Sequence, residues 1–308
     1  MIVSNTSGLR AALRMTLQRN WVTVLVVLAI EVGALELHRS LPALQSNAFS
    51  EAGVAVLAGA VGVFLSFRFN EAYGRWWEAR ILWGGLVNAS RTFGRQVLTY
   101  IPGDGAEATA LRSELVRGQI GYVNALRCAL RGENPAEAAS SFLTEGARRE
   151  LAESKNLPTQ ILARQSRLLD QAIPRDTRGS ITLTRLDATL AEITSLQGGM
   201  ERIKNTAFPD HVLLVSRLLV WTVAILVCLA FIDPIEVIYL LEFIAILMII
   251  LSFKLVVQLG EDLNDPFENR PNDTPMTALC RTIEIDLLQM HGETALPKPI
   301  EPEGGVLM

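Results

Sequence analysis

Charge is scarce in this chain. Of its 308 residues only 19% are Asp, Glu, Lys or Arg, while 50% are hydrophobic. Ordinary soluble domains carry about 25% charged residues. With a mean hydropathy of +0.29, the deficit points to a protein partly in a membrane rather than to a soluble domain of this length. Histidine is rarer still. His38, His211 and His291 are the only three, and they lie far apart. No Ser/His/Asp set, His-Glu-x-x-His, P-loop or glycine-rich dinucleotide motif is present, so neither an enzyme nor a cofactor is expected. The three cysteines, Cys128, Cys228 and Cys280, are too few and too scattered for a disulfide framework or a metal cluster, and fit a reduced compartment. A net charge of −4 provides no global basic field for nucleic acid. Internal repeats are absent, which argues against the inverted repeats of a secondary transporter.

What the chain does have is four long apolar runs. The first is residues 21–37, preceded by a short interfacial helix over 1–20 that carries Arg10, Arg14 and Arg19. No small-residue cleavage site follows it, so it reads as a retained span rather than a signal peptide. Glu31 and Glu36 interrupt its far half. The second run, 52–67, is rich in Ala and Gly and passes without a break into a polar helix. The third and fourth, 212–232 and 235–257, are separated only by Asp233 and Pro234, which demands a tight hairpin. Each is about long enough to cross a ~30 Å hydrocarbon core. Lipid leaves no choice but helix or closed barrel, and strand alternation is missing. The arginines before the first run and after the second put both termini on the cytoplasmic side.

Between the second and third runs the chain is polar and helically periodic. Helices are expected at 71–100 (continuing the second run), 106–131, 135–154, 157–173 and 183–203, with a loop at 174–179. Leu183, Leu186, Leu190, Ile193, Leu196, Met200 and Ile203 recur at three and four, the mark of a helix packing on helices. After the fourth run comes an acidic stretch, a helix over 276–291 and an end rich in Pro, Gly and Glu that reads as disordered. The layout is therefore 1–69, an N-terminal helix and two spans; 70–209, a cytosolic helical bundle; 210–257, two more spans; and 258–308, a cytosolic tail.

Three local patterns carry a resemblance. Phe67-Arg68-Phe69-Asn70 leads into Arg75-Trp76-Trp77-Glu78-Ala79-Arg80. Asn156-Leu157-Pro158 opens a helix. Asp265-Pro266-Phe267 precedes Pro271-Asn272-Asp273 and Leu279-Cys280-Arg281. With the span order, these resemble the bestrophin family, above all its bacterial branch. The resemblance implies an all-α membrane protein: four transmembrane helices and a cytosolic bundle, assembled as a homopentameric ring around a central pore in the bacterial inner membrane. Counted back from Arg75, the family's pore neck falls on Phe67, Val63 and Gly59, where glycine departs from the bulky residues of the family pattern. A ring of apolar side chains can gate ions by dewetting, without any charge. The stretch Glu201-Arg202-Ile203 matches the region of a cytosolic aperture, with Ile203 as its candidate residue. Arg75, Trp76 and Trp77 are expected to form a structural junction below the membrane.

Vertebrate bestrophins hold calcium with consecutive acidic residues after the fourth span. Here Glu261, Asp262, Asp265 and Glu268 are interrupted by other residues. Calcium needs six to eight converging oxygens, so no metal is expected. Within the spans, Arg217 and Lys254 are expected to snorkel, and Glu31 or Glu242 to pair inside the bundle. The functional expectation is a passive channel for small monovalent ions, chloride or sodium, through an apolar neck. A secondary transporter and a membrane-bound enzyme are the alternatives. An apolar neck does not declare the sign of the ion.

Overall fold

The computed structural model describes residues 6–41, 50–206, 209–231, 239–303 and 305–307. Ten helices account for nearly all of them, and among the described residues the only β pairing is an isolated bridge between Glu303 and Val306. The chain divides into two compact units. One comprises Ser4–Arg75 with Ala207–Asn264, the other Trp76–Thr206 with Asp265–Met308.

In the first unit, α1 (Thr6–Ser40), the leading half of α2 (Glu51–Tyr100), α8 (Asp210–Phe231) and α9 (Tyr239–Asn264) are each long and apolar enough to cross a bilayer. The expected interfacial helix and first span are one continuous helix, because no Gly or Pro breaks the register between residues 9 and 32. The turn at Asp233 and Pro234 lies outside the described residues. α1 packs on α8 and α9, and α8 on α9. Val27, Leu65, Val223, Ala224, Cys228 and Ile250 form the centre of the apolar core. Glu31 is fully buried, and among the described residues neither carboxylate oxygen has a hydrogen-bond partner. Of the expectation that Glu31 or Glu242 pairs inside the bundle, the Glu31 alternative is not met among the described residues. Arg217 reaches Glu261 at 2.9 Å, and Arg19 reaches Asp262 at 2.8 Å.

The second unit is built around α3 (Ala106–Arg131), which packs on α4 (Pro135–Ser140), α6 (Leu157–Ala172), α7 (Thr177–Asn205) and α10 (Met276–His291). α3 ends because Gly132 adopts φ 72°, the left-handed geometry that glycine takes most cheaply. Its successor Glu133 then donates its N–H to the Cys128 carbonyl at 2.8 Å, closing the helix as in a Schellman motif. Asn156 opens α6 by accepting from the Thr159 N–H at 3.2 Å, with Pro158 in the first turn. Asp176 caps α7 through the Gly179 N–H at 2.6 Å, so this helix begins inside the expected loop. The expected helix over 135–154 is two short ones, α4 and α5 (Glu145–Leu151), separated where Thr144 starts a new cap on the Ala147 N–H.

Buried polar groups tie these helices in register. Tyr122 donates to Gln197 at 3.2 Å, and Gln197 donates to Thr159 at 2.8 Å. Gln119 donates to Ser90 at 2.9 Å. All three cysteines are buried and free. Burial pushes the Cys280 thiol up to about 12, so it is no nucleophile. The end expected to be disordered is instead placed. Leu296 packs against the core of this unit, and Arg281 donates to the Lys298 carbonyl at 3.3 Å.

Candidate pore-lining face

α2 is 50 residues long, about 75 Å if straight, far more than the ~30 Å hydrocarbon core. Its membrane half buries one narrow seam of Val54, Val61, Leu65, Arg68 and Ala72. Spacings of three, four and seven put these on one side of the helix. The opposite side is open. Val56 is 74% exposed, Val63 57% and Phe67 68%. Gly59 lies on the same side, and a Cβ built there would meet nothing within 4 Å. Its missing side chain therefore serves no packing within the chain. Gly62 differs, because a Cβ there would stand 3.4 Å from the Phe253 ring, which lets α9 approach closely. A groove of about 610 Å³ runs beside this face, lined by Gly59, Gly62, Val63, Phe67, Ile249 and Phe253.

The structure brings Gly59, Val63 and Phe67 together on one exposed apolar face. It does not do so for Ile203. That residue is 4% exposed and belongs to the core of the second unit. A side chain buried inside one subunit cannot line an opening between subunits. The assignment of Ile203 to an aperture is corrected on that ground. Its leucine-stripe spacing was the correct signal, since that stripe is the core-facing side of α7.

The Arg-Trp-Trp residues divide their tasks. Arg75 Nε donates to the Asn264 carbonyl at 3.1 Å, fastening α2 to the end of α9. Trp76 Nε1 donates to the Asn272 carbonyl at 2.8 Å, fastening it to the loop before α10. Trp77 stacks obliquely on Trp76 with centroids 6.2 Å apart, but is itself 50% exposed. That loop is further held by Phe267 N–H donating to Asp265 at 3.2 Å and Arg270 N–H donating to Asp273 at 2.8 Å.

The acidic stretch is divided among basic side chains. Glu261 and Asp262 meet Arg217 and Arg19, as above. Asp265 and Glu268 share Lys204 at 2.7 and 3.5 Å, and Glu268 also meets Arg270 at 2.5 Å. Burial pulls the Lys204 ammonium down, but the hydrogen bond to Asp265 and the charges of Asp265 and Glu268 outweigh it, so the net shift is upward. Burial pushes the Asp273 carboxyl up to about 6, against the pull of the Arg270 N–H and guanidinium.

A family model described as bacterial/fungal bestrophin protein matches residues 9–289. The chain is a member of the bestrophin family. It is 35% identical over 256 residues to the voltage-dependent anion channel-forming protein YneE of Escherichia coli K12, covering 83% of this chain and 81% of that one. It is also 35% identical over 247 residues to the voltage-dependent anion channel-forming protein mll4386 of Mesorhizobium japonicum, covering 79% and 75%. The crystal structure of a bacterial bestrophin homolog from Klebsiella pneumoniae superposes with a TM-score of 0.77 at 25% identity, over 88% of this chain and 97% of that one. These likenesses place this bestrophin among ion channels rather than enzymes. Its four candidate spans make it a membrane protein.

Proposed function

We propose that this bestrophin is a homopentameric channel for small monovalent anions of the chloride class, with the exposed face of α2 as its pore wall. The observation that carries the reading is that face. A membrane helix that buries one seam and leaves Val56, Val63 and Phe67 open must meet lipid, a neighbour or a pore. The groove that adjoins it offers an apolar surface to a neighbouring copy. Closed cyclic rings are the usual way to surround an axis, and five copies follow from the family resemblance. In such a ring Gly59, Val63 and Phe67 stack as three levels of an uncharged neck. Phe67 and Val63 supply the bulk, and Gly59 leaves its level wide. Arg75, Trp76 and Trp77 form the junction that fixes α2 below the neck. The sign of the ion is taken from the curated relatives, both named as anion channel-forming proteins. The channel sits in the bacterial inner membrane with both termini in the cytoplasm.

Two measurements test this reading. Native mass spectrometry in mild detergent is expected to give five copies, and a monomer or dimer would defeat the ring. Planar-bilayer recording under a KCl gradient is expected to give a reversal potential on the chloride side. A potential on the potassium side would keep the channel but reverse the ion.

A further inference from the structure

Three membrane helices of the first unit, α2, α8 and α9, enclose a cavity of about 560 Å³, within the size range of small-molecule sites. Ala55, Ala58, Gly59 and Gly62 form its α2 wall, and none carries a side chain beyond Cβ. A Cβ added at Gly59 would meet nothing within 4 Å, so the space beside it is open. From α9 come Glu242, Ala245, Ile249 and Phe253. Steps of three and four put these on one side of that helix. Val227 and Phe231 close the cavity from the end of α8.

Glu242 is the one ionisable residue in this lining. A carboxylate at membrane depth is costly unless it meets water or a cation. The cations of the three helices lie toward their other ends. Arg68 is fourteen residues along α2 from Val54, Arg217 fourteen residues before Phe231, and Lys254 twelve residues after Glu242. At 1.5 Å per residue these separations are about 18–21 Å along each axis. The lining therefore supplies one negative group and a long apolar wall, and no cation of its own. Ile249 is 45% exposed and Phe231 40%, which leaves apolar surface for an occupant to cover.

We propose that this cavity binds a lipophilic ammonium compound, with the ammonium on the Glu242 carboxylate and the hydrocarbon body along Ala245, Ile249 and Phe253. Charge complementarity decides for this class. An ammonium donates charge-assisted hydrogen bonds to a carboxylate, and its alkyl chain suits walls built from Ala, Gly, Ile and Phe. A phospholipid fits less well, since the lining holds no cation for its phosphate. The site stands whichever ion the channel passes.

The test is equilibrium binding of radiolabelled dodecylamine to the purified full-length protein in phosphatidylcholine nanodiscs, with dodecanol as the uncharged control. Saturable binding of one dodecylamine per chain is expected, about tenfold or more tighter than dodecanol, the value of a hydrogen bond to a charged group. Glu242→Gln is expected to bring dodecylamine down to the dodecanol level and to leave dodecanol unchanged. Glu242→Asp is expected to keep the preference for the amine. Ala245→Leu, which fills the cavity at an exposed position and leaves the charge, is expected to weaken both probes. Should Glu242→Gln fail to assemble, the amine-to-alcohol ratio of the parent and the Ala245→Leu result decide. Equal binding of the two probes overturns the proposal, because the carboxylate then plays no part. Binding that never saturates overturns it too, as when a neighbouring copy or lipid fills the space. So does amine binding that survives Ala245→Leu or Glu242→Gln unchanged.

Discussion

Val63→Ala is the sharpest perturbation of the neck. Val63 is 57% exposed within the subunit, so the lost methyls leave no cavity in the subunit core, and folding should be nearly unaffected. The contrast is Leu65 two residues on, which is 2% exposed. Its truncation to Ala should cost roughly 2 kcal/mol or more of stability. In a ring each Val63 side chain retreats by one carbon–carbon bond, about 1.5 Å, so the opening widens by up to about 3 Å across. That is about one water diameter, taking a water radius of about 1.4 Å. An apolar constriction that gains this much width holds water more readily, and conductance should rise about twofold or more. The sign of the ion should stay the same, since no charge has changed. Single-channel recording of Val63→Ala and the parent under identical salt decides the matter. If current and open probability coincide, Val63 is not at the constriction and the register counted from Arg75 is wrong.

Adding bulk should do the reverse. Gly59→Ile points into open space within the chain, and is expected to reduce single-channel current while leaving assembly by size exclusion unchanged. Trp76→Phe removes the donor to the Asn272 carbonyl at 2.8 Å and should lower stability by about 1 kcal/mol, while Trp77→Phe, on a half-exposed ring, should lower it less; thermal unfolding in detergent ranks the two. Asp273 gives a pH signature. Its folded pKa, about 6, lies above the ordinary 3.8, so its favourable contribution is fully present below pH ~4 and is lost as pH rises through ~6, on the order of 2–3 kcal/mol. Asp273→Asn should flatten the fall in Tm between those values, and an unchanged pH profile would remove Asp273 as its cause.

Hydropathy and periodicity in the sequence determined the four spans, the helical character throughout and the ends of α3 and α10. Those features depend on neighbours along the chain: a run long enough for lipid, a Gly that ends a helix, an Asn or Asp that caps one. The open face of α2 was reachable from the Arg-Trp-Trp register, because steps of four stay on one side of a helix. What the sequence left open was which of two signals to follow where they disagreed. For Ile203 the resemblance of Glu201-Arg202-Ile203 pointed to an aperture and the leucine stripe to a core, and packing put it inside the subunit. Only tertiary structure showed that the packed stripe of α7 lies on one side while Arg178, Ile181 and Arg185 lie on another. It also showed which cation each acidic residue meets. Lys204 is distant in sequence from Asp265 and Glu268, and charge pairing across such distances is decided by how the helices pack, not by spacing along the chain.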